Sequence, residues 1–281
     1  MALSIEKSAK QKYLDLEFWF HRWKLARKKG HFSNFGEQEI IEKYIDRLSI
    51  AEQSKTIVDI GAGNGTRMSN TFALFAKGWN GVGIEYDCRL AAKLANIYKF
   101  YPNVSACRCM VTPMNVVSLL EGYSIEPNFG ILSLDIDSYD LAVLDALLAK
   151  FRPRLVVTEI NEKIPPPIRF SVNFDPDFKV LHHFYGYSLA SLESVLTRHN
   201  YLILELEYNN VFLAPAELAG DIGIGIEQAY REGYLERADR KEKFRLNEGM
   251  EVLHSLTPEA GIEFLDHFYS KSRGKYEIGL D

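Results

Sequence analysis

The stretch best suited to chemistry is Val58-Asp59-Ile60-Gly61-Ala62-Gly63-Asn64-Gly65-Thr66, which follows an apolar run and precedes a helix-length segment beginning near Arg67. Glycine lacks the Cβ that blocks left-handed backbone and close approach, so Gly61, Gly63 and Gly65 mark a tight turn laid against a ligand. A dinucleotide fingerprint is GxGxxG, whereas here the third glycine comes one residue early and Thr66 stands in the last place. GxGxG without a diphosphate-binding helix start suits a ligand carrying a carboxylate, an amine and a sulfonium. Asp59 can then hold the amine, directly or through water. The next apolar run, Gly81-Val82-Gly83-Ile84, ends in Glu85, a bidentate acceptor for two ribose hydroxyls. An acid there fits any nucleoside, NAD included. After the third run, Met110 and Val111 offer apolar contact and backbone donors to an adenine.

Two further runs end in acids. One closes with Leu134-Asp135-Ile136-Asp137-Ser138-Tyr139-Asp140 and the other with Thr158-Glu159-Ile160-Asn161. Ligands of open α/β sheets bind at the carboxyl ends of the strands, and unpaired buried carboxylates are costly, so these acids are expected to do chemistry. Asp135, Asp137, Glu159 and Asn161 can orient a substrate, accept a proton, or hold a hard divalent cation such as magnesium through oxygen ligands, with Asp135, Glu159 and Asn161 as the metal set. Asp140 reads as the cap of the helix that follows. The segment 162–187 is long, proline-rich and aromatic, and is expected to shape a substrate pocket. It supplies His182 and His183 as candidate general bases near neutral pH, and Tyr185 and Tyr187 as pocket-lining residues.

The elements that must position these groups alternate short β-branched runs with helix-length segments, the pattern of a parallel α/β sheet. Strands are expected at 56–60, 81–86, 104–111, 131–135, 154–160, 201–208 and 210–214. The last two are separated by almost nothing and predict an antiparallel hairpin. This gives an α/β, Rossmann-like, seven-stranded, mostly parallel sheet over 51–215. A helical extension over 1–50 and another over 216–281 flank it. In the first, Trp19, Phe20 and Trp23 are read as packing aromatics. In the second, Thr257-Pro258-Glu259 reads as a helix start, and its two or three helices are open to capping the pocket or forming a homodimer surface.

The chain has 281 residues, 47% hydrophobic and 25% charged, enough for a sizeable core. A net charge of −5 supplies no overall cationic field, so nucleic acid is not an expected partner. No apolar run approaches membrane-spanning length and no signal-peptide pattern stands at the start, so no membrane partner and a cytoplasmic location are expected. Cys88, Cys107 and Cys109 form an odd set without metal-type spacing and are read as reduced core or strand residues.

Taken together, Phe35-Gly36-Glu37, VDIGAGNGT, GIEYD, LSLDIDSYD, FRPRLVVTEIN, the YSLASL helix start and the hairpin Tyr208-Asn209-Asn210-Val211-Phe212-Leu213 resemble the class I S-adenosylmethionine-dependent methyltransferases, and more narrowly their FkbM-like relatives. The resemblance covers roughly 32–215. It implies S-adenosylmethionine as cofactor and methyl transfer to a small-molecule acceptor, usually at oxygen and often on a sugar or other small metabolite. It also implies that Glu37 lies near the amino-acid end of the cofactor and that Asp135 faces the methyl-transfer centre. Two other readings stay open at this point: an NAD-dependent oxidoreductase, which Glu85 permits and Thr66 opposes, and a non-catalytic S-adenosylmethionine-binding module.

Overall fold

The computed structural model describes residues 9–26, 30–179 and 183–280. Along the chain these form α1 (Ala9–Ala26), α2 (Glu37–Arg47), α3 (Ile50–Gln53), β1 (Thr56–Ile60), α4 (Phe72–Ala76), β2 (Asn80–Glu85), α5 (Cys88–Tyr98), β3 (Val104–Arg108), α6 (Val116–Gly122), β4 (Ile131–Leu134), α7 (Asp140–Leu148), β5 (Leu155–Glu159) and β6 (Arg169–Val172). They continue as α8 (Leu192–His199), β7 (Tyr201–Glu207), β8 (Asn210–Pro215), α9 (Ala216–Ala219), α10 (Ile226–Tyr230), α11 (Arg240–Lys243), α12 (Pro258–Phe268) and β9 (Tyr276–Gly279).

The seven expected strands form one sheet in the order β3-β2-β1-β4-β5-β8-β7. The first five run parallel, and β8 runs antiparallel to both β5 and β7. The Rossmann-like α/β sheet with its terminal hairpin is therefore the observed fold. Alternation places Val58, Ile60, Val82, Ile84 and Leu134 in one core and Ile57, Val104, Leu155 and Val157 in the other, so helices cover both faces. Each Val or Ile of β1 is fully buried, worth about 1.5–3 kcal/mol apiece.

The chain departs from expectation in four respects. First, the segment after the glycine turn does not begin a helix at Arg67; it bends until Thr71, and α4 is only five residues long. Second, the region 162–187 is not all loop, because β6 within it pairs antiparallel with β9 from the chain's far end. Third, the C-terminal region is a longer series of short helical pieces and not two or three amphipathic helices. Of these, α12 starts as expected, with Thr257 Oγ1 accepting from the Ala260 amide at 3.3 Å. Tyr230 and Tyr234 enter the main core, and Met250, Leu253, Leu265 and Tyr269 build a third core with Ile164, Phe170 and Phe184 of the 162–187 segment. Fourth, Trp19, Phe20 and Trp23 of α1 are not buried but 59%, 49% and 41% exposed. Cys88 is likewise exposed, while Cys107 and Cys109 are half-buried and reduced. No described helix is long and apolar enough to cross a membrane.

Candidate active site

The parallel strands direct their carboxyl ends to one side, where a crevice of about 610 Å³ is lined by the tips of β1 to β4 and by Asp175–Lys179 of the 162–187 segment. That volume lies within the range of small-molecule sites, about 300–1,000 Å³. Gly61, Gly63, Glu85, Met110, Val111, Asp135 and Asp137 all face it. The strand-tip residues singled out from sequence are thus largely brought together.

The glycines have distinct reasons to be glycine. At Gly61, with φ +87°, a Cβ would sit 1.6 Å from the Asp135 carbonyl oxygen, so the turn can leave β1 only by lying against the tip of β4. At Gly63, with φ +56°, a Cβ would meet nothing within 4 Å, because that side opens into the crevice. The Gly63 amide donates to Glu85 Oε2 at 2.9 Å, and the Asp87 amide to Glu85 Oε1 at 2.7 Å. Each carboxylate oxygen keeps a lone pair for a ligand. Met110 and Val111 lie just beyond β3 and not within it, held by Asn115 Nδ2 donating to Met110 O at 2.9 Å and Tyr139 Oη donating to Val111 O at 3.1 Å.

Asp59 sits beneath the turn. It accepts from Thr71 Oγ1 at 2.6 Å, and burial pushes its carboxyl up to about 6 against the lowering effect of the Thr71 and Ser133 hydroxyls. It is not among the residues lining the crevice, so it braces the turn from behind. Glu37, at the start of α2, is buried; it accepts from the Phe35 amide at 2.6 Å and from Asn210 Nδ2 at 3.1 Å. Asn210 is the register partner of Glu159 on β5, which places Glu37 behind the tips of the sheet and outside the crevice wall.

The acidic centre consists of Asp135, Asp137 and Glu159, whose nearest carboxylate oxygens all lie within 4.8 Å of one another. Burial raises all three above their ordinary values; repulsion from Asp137 and Asp140 adds to it at Asp135, and from Asp135 and Asp137 at Glu159, whereas at Asp137 a hydrogen bond with Glu159 partly opposes it. Asp137 occupies the left-handed region with φ +55°, and Asp140 fixes the turn around it by accepting from the amides of Ile136 at 2.8 Å and Ser138 at 2.9 Å. Asp140 is therefore a strap on this turn more than a cap of α7. Glu159 also accepts from Asn209 Nδ2 on the hairpin.

Several sequence expectations are corrected here. Asn161 is fully buried and donates through Nδ2 to the carbonyls of His183 at 2.9 Å and Tyr185 at 3.0 Å, so it fastens the 162–187 segment and stands outside both the acidic cluster and the crevice wall. Tyr187 is a core residue, fully buried, with its hydroxyl 3.0 Å from Thr158 Oγ1. His183 is buried against Phe268 of α12 and does not line the crevice, and His182 lies outside the described residues. Tyr185 is half-buried, accepts from Lys163 Nζ at 2.5 Å and lies within electrostatic reach of Glu159 and Asp137.

Sequence reading missed Lys163. Its ammonium is buried, lies 3.3 Å from both oxygens of buried Glu162, and lowers the Asp137 carboxyl, partly opposing the larger desolvation effect. Glu162 is completed from the C-terminal region, by Asn247 Nδ2 donating to Oε1 at 2.6 Å and Tyr230 Oη to its carbonyl at 2.6 Å. A cation set directly beside strand-end acids was the only available signal, since the Asn247 that completes its partner Glu162 lies 85 residues further along the chain.

No protein-family model and no curated protein matches the chain. Among solved structures, it is similar to monomeric WbdD, at 16% identity over 65% of this chain and 41% of WbdD, with a TM-score of 0.44. It is also similar to the N-terminal domain of EvdMO1 with SAH bound, at 11% identity over 65% of this chain and 82% of that one, with a TM-score of 0.43. A third likeness is to an S-adenosylmethionine-dependent methyltransferase from Clostridium acetobutylicum, at 12% identity over 71% and 98% of the two chains, with a TM-score of 0.40. The chain spans less than half the length of WbdD. What assigns the architecture is the molecule's own topology. With five parallel strands, a reversed β8 and a glycine turn at the tip of β1, the chain has a Rossmann-like α/β fold closed by an antiparallel hairpin.

Proposed function

We propose that the chain is an S-adenosylmethionine-dependent methyltransferase acting on a hydroxyl of a small molecule, such as a sugar or other small metabolite. The observation that carries this reading is one continuous crevice joining a glycine turn open at Gly63, a ribose-type acid at Glu85, an apolar wall at Met110 and Val111, and the acids Asp135 and Asp137. No helix begins at the turn to meet a diphosphate, which favours this cofactor over NAD.

S-adenosylmethionine, when bound, supplies an electrophilic methyl group on a sulfonium. The chain's own residues then have three tasks. Glu85 and the 110–111 wall orient the nucleoside. Asp175–Lys179 help to exclude water from the opening. Asp135, Asp137 and Glu159, raised above the ordinary carboxylate range, are suited to take the proton of an acceptor hydroxyl as it attacks. The same three carboxylates fit a hard divalent cation, since oxygen donors this close together are what magnesium or calcium requires. The metal set would then be Asp135, Asp137 and Glu159, with Asn161 left to its structural bonds.

Methyl-labelled S-adenosylmethionine, a panel of hydroxylated small molecules, and added magnesium or EDTA test the reading. Label is expected on at least one acceptor. Asp135→Asn is expected to lower transfer about 100-fold or more while leaving cofactor affinity within a few-fold. Cofactor binding with no transfer to any acceptor would favour the non-catalytic module.

A further inference from the structure

The first helix carries a surface that none of the three cores uses. Tyr13, Leu16, Trp19, Phe20 and Trp23 are 65%, 62%, 59%, 49% and 41% exposed, and their spacing puts them along one side of an 18-residue helix. Other positions fix α1 to the body: Glu17 pairs with Lys99 at 2.8 Å, and Phe18 packs 5.4 Å from Phe100 between ring centroids. These contacts are with the end of α5 remote from the crevice, whose own lining includes Leu90 near the other end of that helix. Between α1 and α5 lies a groove of about 360 Å³, lined by Leu16, Phe20, Ile97 and Phe100 with Lys24 beside it.

The sequence around α1 is also the basic part of the chain. Residues 7–29 hold eight Lys or Arg against two Asp or Glu, a charge of +6, leaving 25 basic against 36 acidic residues, or −11, in the remainder. A basic segment with a Trp, Tyr and Leu face is the composition of helices that lie in the headgroup layer of a bilayer. Indole and phenol rings suit that layer because one end is apolar and the other polar. Two-fold pairing of α1 with itself would instead bring two helices of like charge together, +2 against +2 from four Lys or Arg and two Asp or Glu in each.

We propose that α1 seats this chain on an anionic lipid bilayer, with the aromatic face in the headgroup layer and the crevice turned to water. This goes beyond the expectation from sequence that no membrane is involved, which rested on the lack of a spanning segment. The test is co-sedimentation of the full chain with vesicles of phosphatidylcholine alone or with about a third phosphatidylglycerol. Binding to the anionic vesicles is expected to exceed that to the neutral ones by about tenfold or more, and to weaken when salt rises from about 0.1 to about 1 M, which shortens the Debye length from about 10 to about 3 Å. The double variant Trp19→Ser/Phe20→Ser is expected to lose about tenfold in vesicle binding with an unchanged melting curve, because both rings are about half exposed and neither belongs to a core. Equal weak binding to both vesicle types would overturn the proposal. So would a dimer in light scattering that the double variant converts to monomer, since a second copy would then own the face.

Discussion

Asp59 and Glu85 flank the same turn in opposite circumstances. Glu85 is oriented by two backbone amides and faces the crevice, whereas Asp59 is buried behind it with its carboxyl pushed up to about 6. A carboxyl with a folded-state pKa above its unfolded value of about 3.9 holds its proton longer in the folded chain, so its contribution to stability is full below about pH 4 and is lost as pH rises through about 6. Asp59→Asn removes that dependence and keeps an acceptor for Thr71. Relative to wild type, the variant's melting temperature is expected to gain between about pH 4 and pH 6, the window set by those two values, and to level off above it. A difference that shrinks with rising pH would show that Asp59 is not the buried proton-holder described.

At this scale the sequence was most readable where a residue's partner is its own strand or turn. Gly61, Gly63, Glu85, Met110, Val111, Asp135 and Asp137 all reach the crevice as their positions imply. Asn161, His183 and Tyr187 were misassigned because their surroundings are set by distant chain. Asn161 is consumed by carbonyls contributed 22 and 24 residues later, and His183 by an aromatic on α12.

At the scale of elements, the seven main strands were legible because burial on both faces leaves near-continuous apolar runs. The short pair β6 and β9 was not, since four-residue strands with a mixed pattern acquire meaning only from each other, over 100 residues apart. Helix α1 was legible as a helix, but periodicity alone could not tell which aromatic side meets the body. The junction of β1 with β4 yields a sharp contrast. In urea unfolding, Gly61→Ala is expected to cost about 4 kcal/mol or more, because its Cβ would lie 1.6 Å from backbone that cannot move without parting the strands. Gly63→Ala is expected to cost only about 1–2 kcal/mol, the strain of a left-handed residue with open space around it. Equal costs would contradict the separate roles given to the two glycines.

At the scale of the molecule, the region after 215 is integral to the fold in ways its polar composition hides. It completes Glu162 through Asn247 and Tyr230, enters the main core through Tyr230 and Tyr234, and pairs β9 with β6. A truncation ending at Pro215 is therefore expected to lose its cooperative thermal transition in circular dichroism, since Lys163 and Glu162 would be left beside an exposed core. A truncated chain melting within a few degrees of the full one would show that the two parts are independent.

The central claim is that the crevice at the strand tips takes S-adenosylmethionine, and calorimetric titration of the full chain tests it most directly. The methyl-free product S-adenosylhomocysteine is expected to bind where NAD does not, and Gly63→Val, which fills the open side of the turn, is expected to weaken that binding about tenfold or more. No heat with S-adenosylhomocysteine, binding of NAD in its place, or an affinity untouched by Gly63→Val would contradict it.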